Sequence, residues 1–337
     1  MKVAMLGTGA IAPVALAAMK AAAGISVEAL WCRQHSRQRG ETLAREYGIP
    51  RVYTDCRALF REGDVDTAYI ALVNPVHFAY AREALLAGKN VILEKPFCTR
   101  WAQTRELADM AREKGLFLLE AMPLWHGALF RKIRELIPAL GPIRLVQGNY
   151  SQYSSRYDRY RKGEVLPAFD PALAGGALYD LNVYNIAWTA GLWGLPEKVL
   201  YAPNRGWNGV DTSGVLLLGY PGFQASLSAA KDSDSPSGFL VQGEKGWLKV
   251  KGKPIHPEKL EWTLIQGPDQ DQFSTAAVKK AQNTKTWTPP ERENRMVEEF
   301  EDFTRIVDGK KKEEAEKFLQ MTLAASEVLE RAAGHTI

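Results

Sequence analysis

The sequence predicts an α/β protein with a doubly wound parallel sheet in its N-terminal part and an antiparallel or mixed sheet in its C-terminal part. Three observations predict this. Short apolar strands alternate with helical patterns over the first third of the chain. A glycine-containing turn follows the first strand directly, and the strands become longer and more amphipathic after about residue 123.

The N-terminal part alternates buried strands with helices of 10 or more residues, which is typical of βαβ units. Strands are predicted over residues 2–7, 27–32, 65–73, 90–96 and 116–122, and helices over residues 12–23, 37–47, 78–89 and 99–115.

The C-terminal part begins with a predicted helix and continues with longer strands separated by turn signals such as Gly-Glu-Lys-Gly. The helix is predicted over residues 126–140, the strands over 143–155, 215–230, 237–252 and 259–267, and two closing helices over 291–308 and 313–333. We therefore predict two domains, residues 1–122 and residues 123–337, with a change of topology rather than a flexible linker between them.

Composition excludes several classes of protein. The net charge is only +4 and forms no basic stripe, which argues against a nucleic-acid partner. The three cysteines lack CxxC spacing, and the histidines show no paired spacing with acids or cysteines, so no metal site is expected. The apolar runs are too short to span a bilayer, and the chain begins directly with a strand. We expect a cytoplasmic protein without membrane contact.

The turn after the first strand reads GTGAIA and consists of Gly7, Thr8, Gly9, Ala10, Ile11 and Ala12. The first glycine permits a tight turn, the second lets a pyrophosphate approach the backbone, and the alanine lets the helix pack closely. The helix N-terminus then holds the anion. At the start of a βαβ series this motif predicts a dinucleotide-binding Rossmann domain.

The end of the second strand predicts which cofactor binds. An NAD site usually places Asp or Glu there to bond the ribose 2′-hydroxyl, whereas this chain has Arg33, followed by Ser36 and Arg37. Because arginine can clamp a 2′-phosphate that an acid would repel, we predict NADP. The alternative is that Arg33 stacks on adenine, in which case NAD binds as well.

Two further segments, AGKNVILEKPF (87–97) and AGGALYDLNVYNI (174–186), complete a pattern that resembles the glucose–fructose oxidoreductase/inositol dehydrogenase (Gfo/Idh/MocA) family over essentially the whole chain. The resemblance implies a Rossmann domain followed by an α/β domain whose open, mostly antiparallel sheet often forms the oligomer interface. It also implies that Lys95 of the Glu-Lys-Pro motif is catalytic and contacts cofactor and substrate, that the neighbouring Glu94 contacts the cofactor, and that the bond before Pro96 is cis in many members.

Many relatives carry Asp-x-x-x-His in the second motif, whereas this chain has Asp180 and Tyr184. Tyrosine at that position resembles the dihydrodiol dehydrogenase and xylose 1-dehydrogenase branch, as does the segment EAMPLW, which contains Trp125. The resemblance implies that Asp180, Tyr184 and Trp125 contact substrate. On a helix, Asp180 and Tyr184 would share one face. A tyrosine base needs a cation nearby, and Lys95 is the expected one.

Other positions allow two interpretations. By resemblance, the loop with Leu72, Asn74 and His77 passes the cofactor, although His77 fits a helix-cap or packing role equally well. Glu120 either approaches the nicotinamide or caps a strand end. The Tyr- and Arg-rich stretch 151–161 either lines the substrate entrance or lies at a subunit contact.

These features predict an NADP-dependent oxidoreductase that moves a hydride to or from a carbinol carbon of a sugar, polyol or diol. Tyr184 would exchange the proton, Lys95 would bond the same oxygen, and Asp180 would orient a hydroxyl or the lysine. A homodimer or higher homo-oligomer is expected from the resemblance. One alternative is a catalytically silent, cofactor-binding regulator of the same fold. Another is reduction of a C=N or C=C bond, or redox-assisted cleavage of a sugar bond.

Overall fold

The chain forms two compact units in a computed structural model that describes residues 1–264, 284–291 and 293–334. The first unit takes in Met1–His126, Ala172–Ala174 and Arg292–Glu330, and the second takes in Gly127–Pro171, Gly175–Glu291 and Arg331–Ile337.

The helices and strands of the N-terminal segment alternate as expected for βαβ units. They are β1 Lys2–Leu6, α1 Ile11–Ala21, β2 Ser26–Trp31, α2 Arg37–Tyr47, β3 Arg51–Tyr53, α3 Cys56–Glu62, β4 Thr67–Ile70, α4 His77–Leu86, β5 Asn90–Glu94, α5 Trp101–Lys114, β6 Leu118–Ala121 and α6 Pro123–His126. The elements that follow are α7 Ala128–Leu136, β7 Ile143–Ser151, α8 Tyr157–Arg161, α9 Val183–Trp193, β8 Lys198–Arg205, β9 Asp211–Tyr220, β10 Phe223–Ala230, β11 Gly238–Gly243, β12 Gly246–Lys253, β13 His256–Leu264, β14 Lys285–Trp287, α10 Val297–Asp308 and α11 Lys312–Gly334.

The first unit is built on a six-stranded, all-parallel sheet in the order β3-β2-β1-β4-β5-β6. The chain thus starts in the middle of the sheet and winds outward in both directions, which confirms the predicted doubly wound fold. In such sheets ligands bind outside the carboxyl ends of the strands. The strands are largely apolar because helices cover both faces; β4, for example, is buried along its whole length.

The core of the first unit includes a helix from the far end of the chain. Phe300, Phe303 and Ile306 of α10 are fully buried in one cluster with Val3 and Met5 of β1. The predicted boundary at residue 122 lies near His126, where the first segment of this unit ends. The closing helices, however, pack in the first unit up to Glu330 and not in the second, because α10 buries its apolar face there.

The second unit is built on an eight-stranded sheet in the order β14-β13-β12-β11-β7-β10-β9-β8. Neighbouring strands are antiparallel except for β7 and β10, which are parallel. This arrangement confirms the open, mostly antiparallel sheet. Helix α9 lies against β7 and β10, and its Trp188 stacks on Phe239 with 5.4 Å between ring centroids.

Several strands differ in detail from the prediction. Residues 215–230 form two strands because Pro221-Gly222 makes a hairpin turn, with Gly222 at φ +87°. Residues 237–252 are likewise a hairpin, closed by Glu244-Lys245. The part of the predicted strand 259–267 beyond Leu264 lies outside the described residues. Among the helices that the structure describes, none has the length and apolar character needed to cross a membrane.

Candidate active site

The glycine turn between β1 and α1 has the shape of a phosphate cradle. Gly7 adopts φ +120°, and a Cβ atom there would lie 2.3 Å from the Ala71 carbonyl oxygen, so only glycine fits. A Cβ on Gly9 would meet nothing within 4 Å, so the space over the turn is open. Helix α1 starts at Ile11 with no side-chain cap at Ala10 and no acid in its first turn. Its terminal N–H groups and dipole therefore suit an anion, which fits a pyrophosphate.

The two other residues of the motif play different parts. Thr8 is half-buried at the turn, whereas Ala12 is fully buried and lets α1 pack closely on the sheet. These positions agree with the reasons that predicted the motif.

The residues just after β2 include a cation, and no acid follows it within the next few residues of the sequence. Cys32 is buried, Arg33 is exposed, and Ser36 is half-buried at the entrance of α2. The first acid after the strand is Glu41, whose Oε1 accepts a 2.8 Å hydrogen bond from Arg37 Nε. That ion pair neutralises Arg37, so Arg33 is the stronger candidate to hold a 2′-phosphate.

The polar side chains of the loop after β4 contact backbone carbonyl oxygens. His77 is fully buried, with Nε2 at 3.0 Å from Leu72 O and Nδ1 at 3.1 Å from Pro96 O. Asn74 Nδ2 donates to Leu173 O at 3.1 Å. These contacts favour the packing interpretation of His77, and cofactor contacts by Leu72, Asn74 and His77 stay predictions.

Lys95 follows β5 at the carboxyl edge of the parallel sheet, the same edge at which the glycine turn follows β1. Its side chain is half-buried, and the bond to Pro96 is cis. Glu94 is 9% exposed; its Oε1 accepts a hydrogen bond from the Tyr69 hydroxyl at 2.5 Å, and its Oε2 accepts the N–H of Lys95 at 3.2 Å. The glutamate of the motif therefore anchors the lysine backbone.

Two more buried carboxyl groups accompany Glu94. Burial raises the pKa of Glu120 to about 8 and raises that of Glu299 well above its usual range, and burial also raises the pKa of Glu94. Within the described residues, both carboxyl oxygens of Glu299 lack a hydrogen-bond partner. The motif analysis did not find Glu299, which reaches this core from α10.

Trp125, predicted to contact substrate, lies in the short helix α6 and is only 2% exposed. Its burial fits a packing role at least as well, and the substrate contact stays a prediction.

Asp180 and Tyr184 occupy a helix that is locally widened. Residues Leu178–Asn182 form a π-helical turn, and α9 begins at Val183. The expected i, i+4 pair therefore spans the junction of a π turn and α9, and its shared face stays a prediction. Tyr184 is 5% exposed and packs edge-to-face against Tyr150, with 5.8 Å between centroids.

The second of the two glycines before this turn is required by a buried aspartate. Gly176 has φ +109°, and a Cβ there would lie 1.9 Å from Asp211 Oδ1. Asp211 Oδ2 accepts hydrogen bonds from the N–H of Leu178 and the Tyr201 hydroxyl, both at 2.6 Å. Asp211 thus fixes the entrance of the helix that carries Asp180, although no sequence pattern singled it out.

Lys231 is the third residue that sequence reasoning missed. It follows β10 directly and is 2% exposed, and its Nζ donates to Asp180 Oδ2 at 2.7 Å. We expected Lys95 or a substrate hydroxyl as the partner of Asp180; the structure adds this second lysine. No motif surrounds Lys231, so only its position in the fold identifies it.

Comparison with known proteins agrees with the two-domain fold described above. The family model described as an oxidoreductase family with an NAD-binding Rossmann fold matches residues 1–121, and the model of the GFO/IDH/MocA C-terminal domain matches residues 130–249. The scyllo-inositol 2-dehydrogenase (NADP(+)) IolU of Bacillus subtilis is 30% identical over 298 residues, which cover 88% of this chain and 86% of that protein. The trans-1,2-dihydrobenzene-1,2-diol dehydrogenase of Sus scrofa is 32% identical over 217 residues, or 63% of this chain and 62% of that one.

A solved structure has the same fold over the full length. The 3-ketoreductase KijD10 of Actinomadura kijaniata, in complex with NADP and TDP-benzene, superposes with a TM-score of 0.80 at 22% identity and covers 100% of this chain and 98% of its own. The matches to both domain models, together with the inositol dehydrogenase relative, decide the family. The chain belongs to the GFO/IDH/MocA family and is an NAD(P)-dependent oxidoreductase.

Proposed function

We propose that this enzyme uses NADP to oxidise or reduce a CH–OH carbon of a sugar, polyol or diol. The observation that carries the proposal is the placement of the glycine turn and Lys95 at one edge of the parallel sheet. A cofactor whose pyrophosphate lies at Gly9 runs along that edge, where ligands of such sheets bind. Exposed Arg33, without an acid beside it, supports NADP over NAD.

The proposed chemistry assigns one task to each side chain. When bound, the nicotinamide supplies or accepts the hydride. Tyr184 takes the hydroxyl proton during oxidation and returns it during reduction. Lys95 donates a hydrogen bond to the reacting oxygen. Asp180 accepts a hydrogen bond from a substrate hydroxyl and orients the ring.

The substrate class is inferred from relatives that are named for polyol and diol dehydrogenation. A carboxylate such as Asp180, half-exposed at 42%, suits a partner with several hydroxyl groups. We therefore propose vicinal diols, in cyclic polyols or pyranose sugars, as substrates.

The test has two stages. Purified protein is titrated with NADPH and with NADH, followed by nicotinamide fluorescence, and we expect tighter binding of NADPH. Turnover of NADP⁺ is then measured with scyllo-inositol, trans-1,2-dihydrobenzene-1,2-diol, D-glucose and D-xylose. If NADPH binds but none of these compounds transfers hydride to NADP⁺, the cofactor-binding regulator is favoured instead.

We also propose a homodimer formed through the second sheet. Four apolar side chains on β7, β8 and β9 are 40–47% exposed: Leu145, Leu200, Val215 and Leu217. Leu200 pairs with Leu217 across neighbouring strands, so the exposed apolar surface of β8 and β9 is continuous. Leu200→Glu combined with Leu217→Glu should convert a dimer to a monomer in sedimentation velocity, and an unchanged sedimentation coefficient would contradict this interface.

A further inference from the structure

Lys231 is a buried lysine whose ammonium group is fully engaged by the second unit. Its Nζ donates to Ala168 O and to Asp180 Oδ2, each at 2.7 Å, and lies 4.7 Å from the centroid of the Phe169 ring. Lysines are rarely buried unless they are paired, because removing the charge from water is costly. This one is held by an anion, a carbonyl dipole and an aromatic face together.

The ion pair with Asp180 is asymmetric. The Lys231 side chain is 3% exposed, whereas the Asp180 side chain is 42% exposed. A pair with both partners at the surface moves freely and contributes little. Here the cation is fixed in the protein interior, so Asp180 is held at one oxygen, Oδ2, while its side chain stays partly open to solvent.

The backbone of Lys231 is fixed as firmly as its side chain. Its N–H donates to Thr212 O at 2.8 Å, and its carbonyl accepts the N–H of Ser154 at 2.9 Å. The lysine therefore connects β9 with the segment that follows β7. A lysine held at both ends can transmit this rigidity to the carboxylate that it binds.

The other side of the ammonium faces a stack of aromatic rings. Phe169 stacks on Tyr160 at 4.7 Å, and Tyr160 stacks on Trp207 at 5.4 Å, with interplanar angles of 18° and 19°. Trp207 is 57% exposed, so the stack runs from the surface to Lys231. The ammonium group thus contacts both Asp180 and the innermost ring of this stack.

We propose that Lys231 is a positioning residue for the reaction, which holds the Asp180 carboxylate in the orientation that accepts a substrate hydroxyl. The proposal rests on the function proposed above, in which Asp180 binds substrate. Its new element is that substrate recognition by Asp180 depends on a cation from the end of β10, outside the two motifs that carry the family resemblance.

A double-mutant cycle tests the proposal with whichever member of the polyol and sugar panel the wild type oxidises. Lys231→Met, Asp180→Asn and the double variant are compared by KM, kcat, NADPH affinity and melting temperature. We expect Lys231→Met to lower kcat/KM about 10- to 100-fold, the cost of losing a charge-assisted hydrogen bond, mainly through KM. Because the lysine acts through Asp180, the double variant should be no worse than Asp180→Asn alone.

Controls separate positioning from general damage. Lys231→Arg keeps the charge and should recover part of the lost kcat/KM. Lys251→Met removes a lysine of the same unit that is 46% exposed and pairs with Glu261, and it should leave kinetics unchanged. If Lys231→Met loses its cooperative melting transition, Lys231→Gln, which retains a donor for Ala168 O, takes its place in the cycle.

The outcomes separate this proposal from the proposed function. If Asp180→Asn lowers kcat/KM but Lys231→Met does not, only the role of Lys231 is overturned. Losses that add in the double variant would also overturn it, because Lys231 would then act elsewhere. If the wild type oxidises no member of the panel, the proposed function fails and the role of Lys231 fails with it.

Discussion

The Tyr69 hydroxyl donates a hydrogen bond to the Glu94 carboxylate, which in turn accepts the N–H of Lys95. Tyr69 lies on β4 and is fully buried. One polar chain therefore runs from the middle of the parallel sheet to the lysine at its edge. A buried carboxylate depends on such a donor, because it has no water to replace it.

Removing this donor should weaken the fold and the site together. Tyr69→Phe leaves Glu94 with one partner fewer, and we expect a loss of about 1–3 kcal/mol in unfolding free energy. Urea denaturation followed by tryptophan fluorescence measures it. Tyr47→Phe is the matched control, since the Tyr47 hydroxyl donates a partly buried hydrogen bond to Pro13 O at 3.1 Å. An equal, small loss of unfolding free energy in both variants would show that the hydrogen bond to Glu94 stabilises the fold no more than the one to Pro13 does.

The two glycines of the GTGAIA turn should respond differently to alanine. Gly7→Ala places a methyl group 2.3 Å from the Ala71 carbonyl at a φ of +120°, so we expect a clear drop in melting temperature. Gly9→Ala meets no protein atom within 4 Å and should fold normally while binding NADPH at least 10-fold more weakly, because the methyl group takes the space of the pyrophosphate. Differential scanning fluorimetry and NADPH titration measure the two effects. Unchanged NADPH affinity in Gly9→Ala would place the pyrophosphate elsewhere.

Arg33 should determine the preference for the 2′-phosphate. Arg33→Glu replaces the exposed cation with an anion, and we expect NADPH affinity to fall about 10- to 100-fold, whereas NADH affinity changes little. Lys20→Glu, a charge reversal in the last turn of α1, is the control and should change neither affinity. If Arg33→Glu weakened both cofactors equally, Arg33 would contact adenine instead.

Lys95 and Tyr184 should both be needed for hydride transfer. We expect Lys95→Met and Tyr184→Phe each to lower kcat about 100- to 10,000-fold, the usual contribution of a positioned proton-transfer group. NADPH titration and melting curves show whether binding and folding are retained. Tyr150→Phe is the control, because it removes the hydroxyl of a neighbouring tyrosine and keeps the ring that packs against Tyr184. Near-full turnover in both Lys95→Met and Tyr184→Phe would disprove their assignment.

Stability should fall as the pH rises through the neutral range. Burial raises the pKa of Glu120 from 4.5 to about 8, so between these values the folded chain holds a proton that the unfolded chain has released. The stabilisation is complete below pH 4.5 and is lost as the pH approaches 8, with a slope of at most about 1.4 kcal/mol per pH unit for this group. Glu299 acts in the same direction.

Urea denaturation at pH 5, 6, 7 and 8 measures this slope. Glu120→Gln removes one titrating carboxyl and should flatten the decline. Glu41→Gln, at a carboxylate that is 49% exposed, should keep the wild-type slope. A wild-type protein that is equally stable from pH 5 to pH 8 would contradict the raised pKa values.

The sequence predicts those helices and strands whose ends and periodicity depend on neighbouring residues. Helix α2 was predicted over residues 37–47 and forms there, because its apolar periodicity ends at Gly48, which adopts the left-handed conformation. The parallel sheet followed from strand spacing in the same way. Strand β8 was missed because its exposed positions include Lys198, Asn204 and Arg205, which weaken the apolar signal.

Contacts between residues far apart in the sequence cannot be predicted from periodicity or motif spacing. The partner of Asp180 lies 51 residues away at Lys231, and the buried Glu299 joins Glu94 from a helix near the other end of the chain. The residues of the motifs were found because their spacing is local. The lysine, the aspartate at 211 and the third carboxyl group were not, because only the folded chain brings them together.

The dependence of the first unit on α10 has a consequence for how the protein is made. A ribosome releases the parallel-sheet strands long before Phe300, Phe303 and Ile306 have been synthesised, yet these side chains complete the same core. Until they emerge, the nascent sheet exposes the apolar surface that α10 later covers, and each missing phenylalanine withholds about 1.5–3 kcal/mol. The nucleotide-binding half is therefore translated first, yet its core is complete only once α10 has been added.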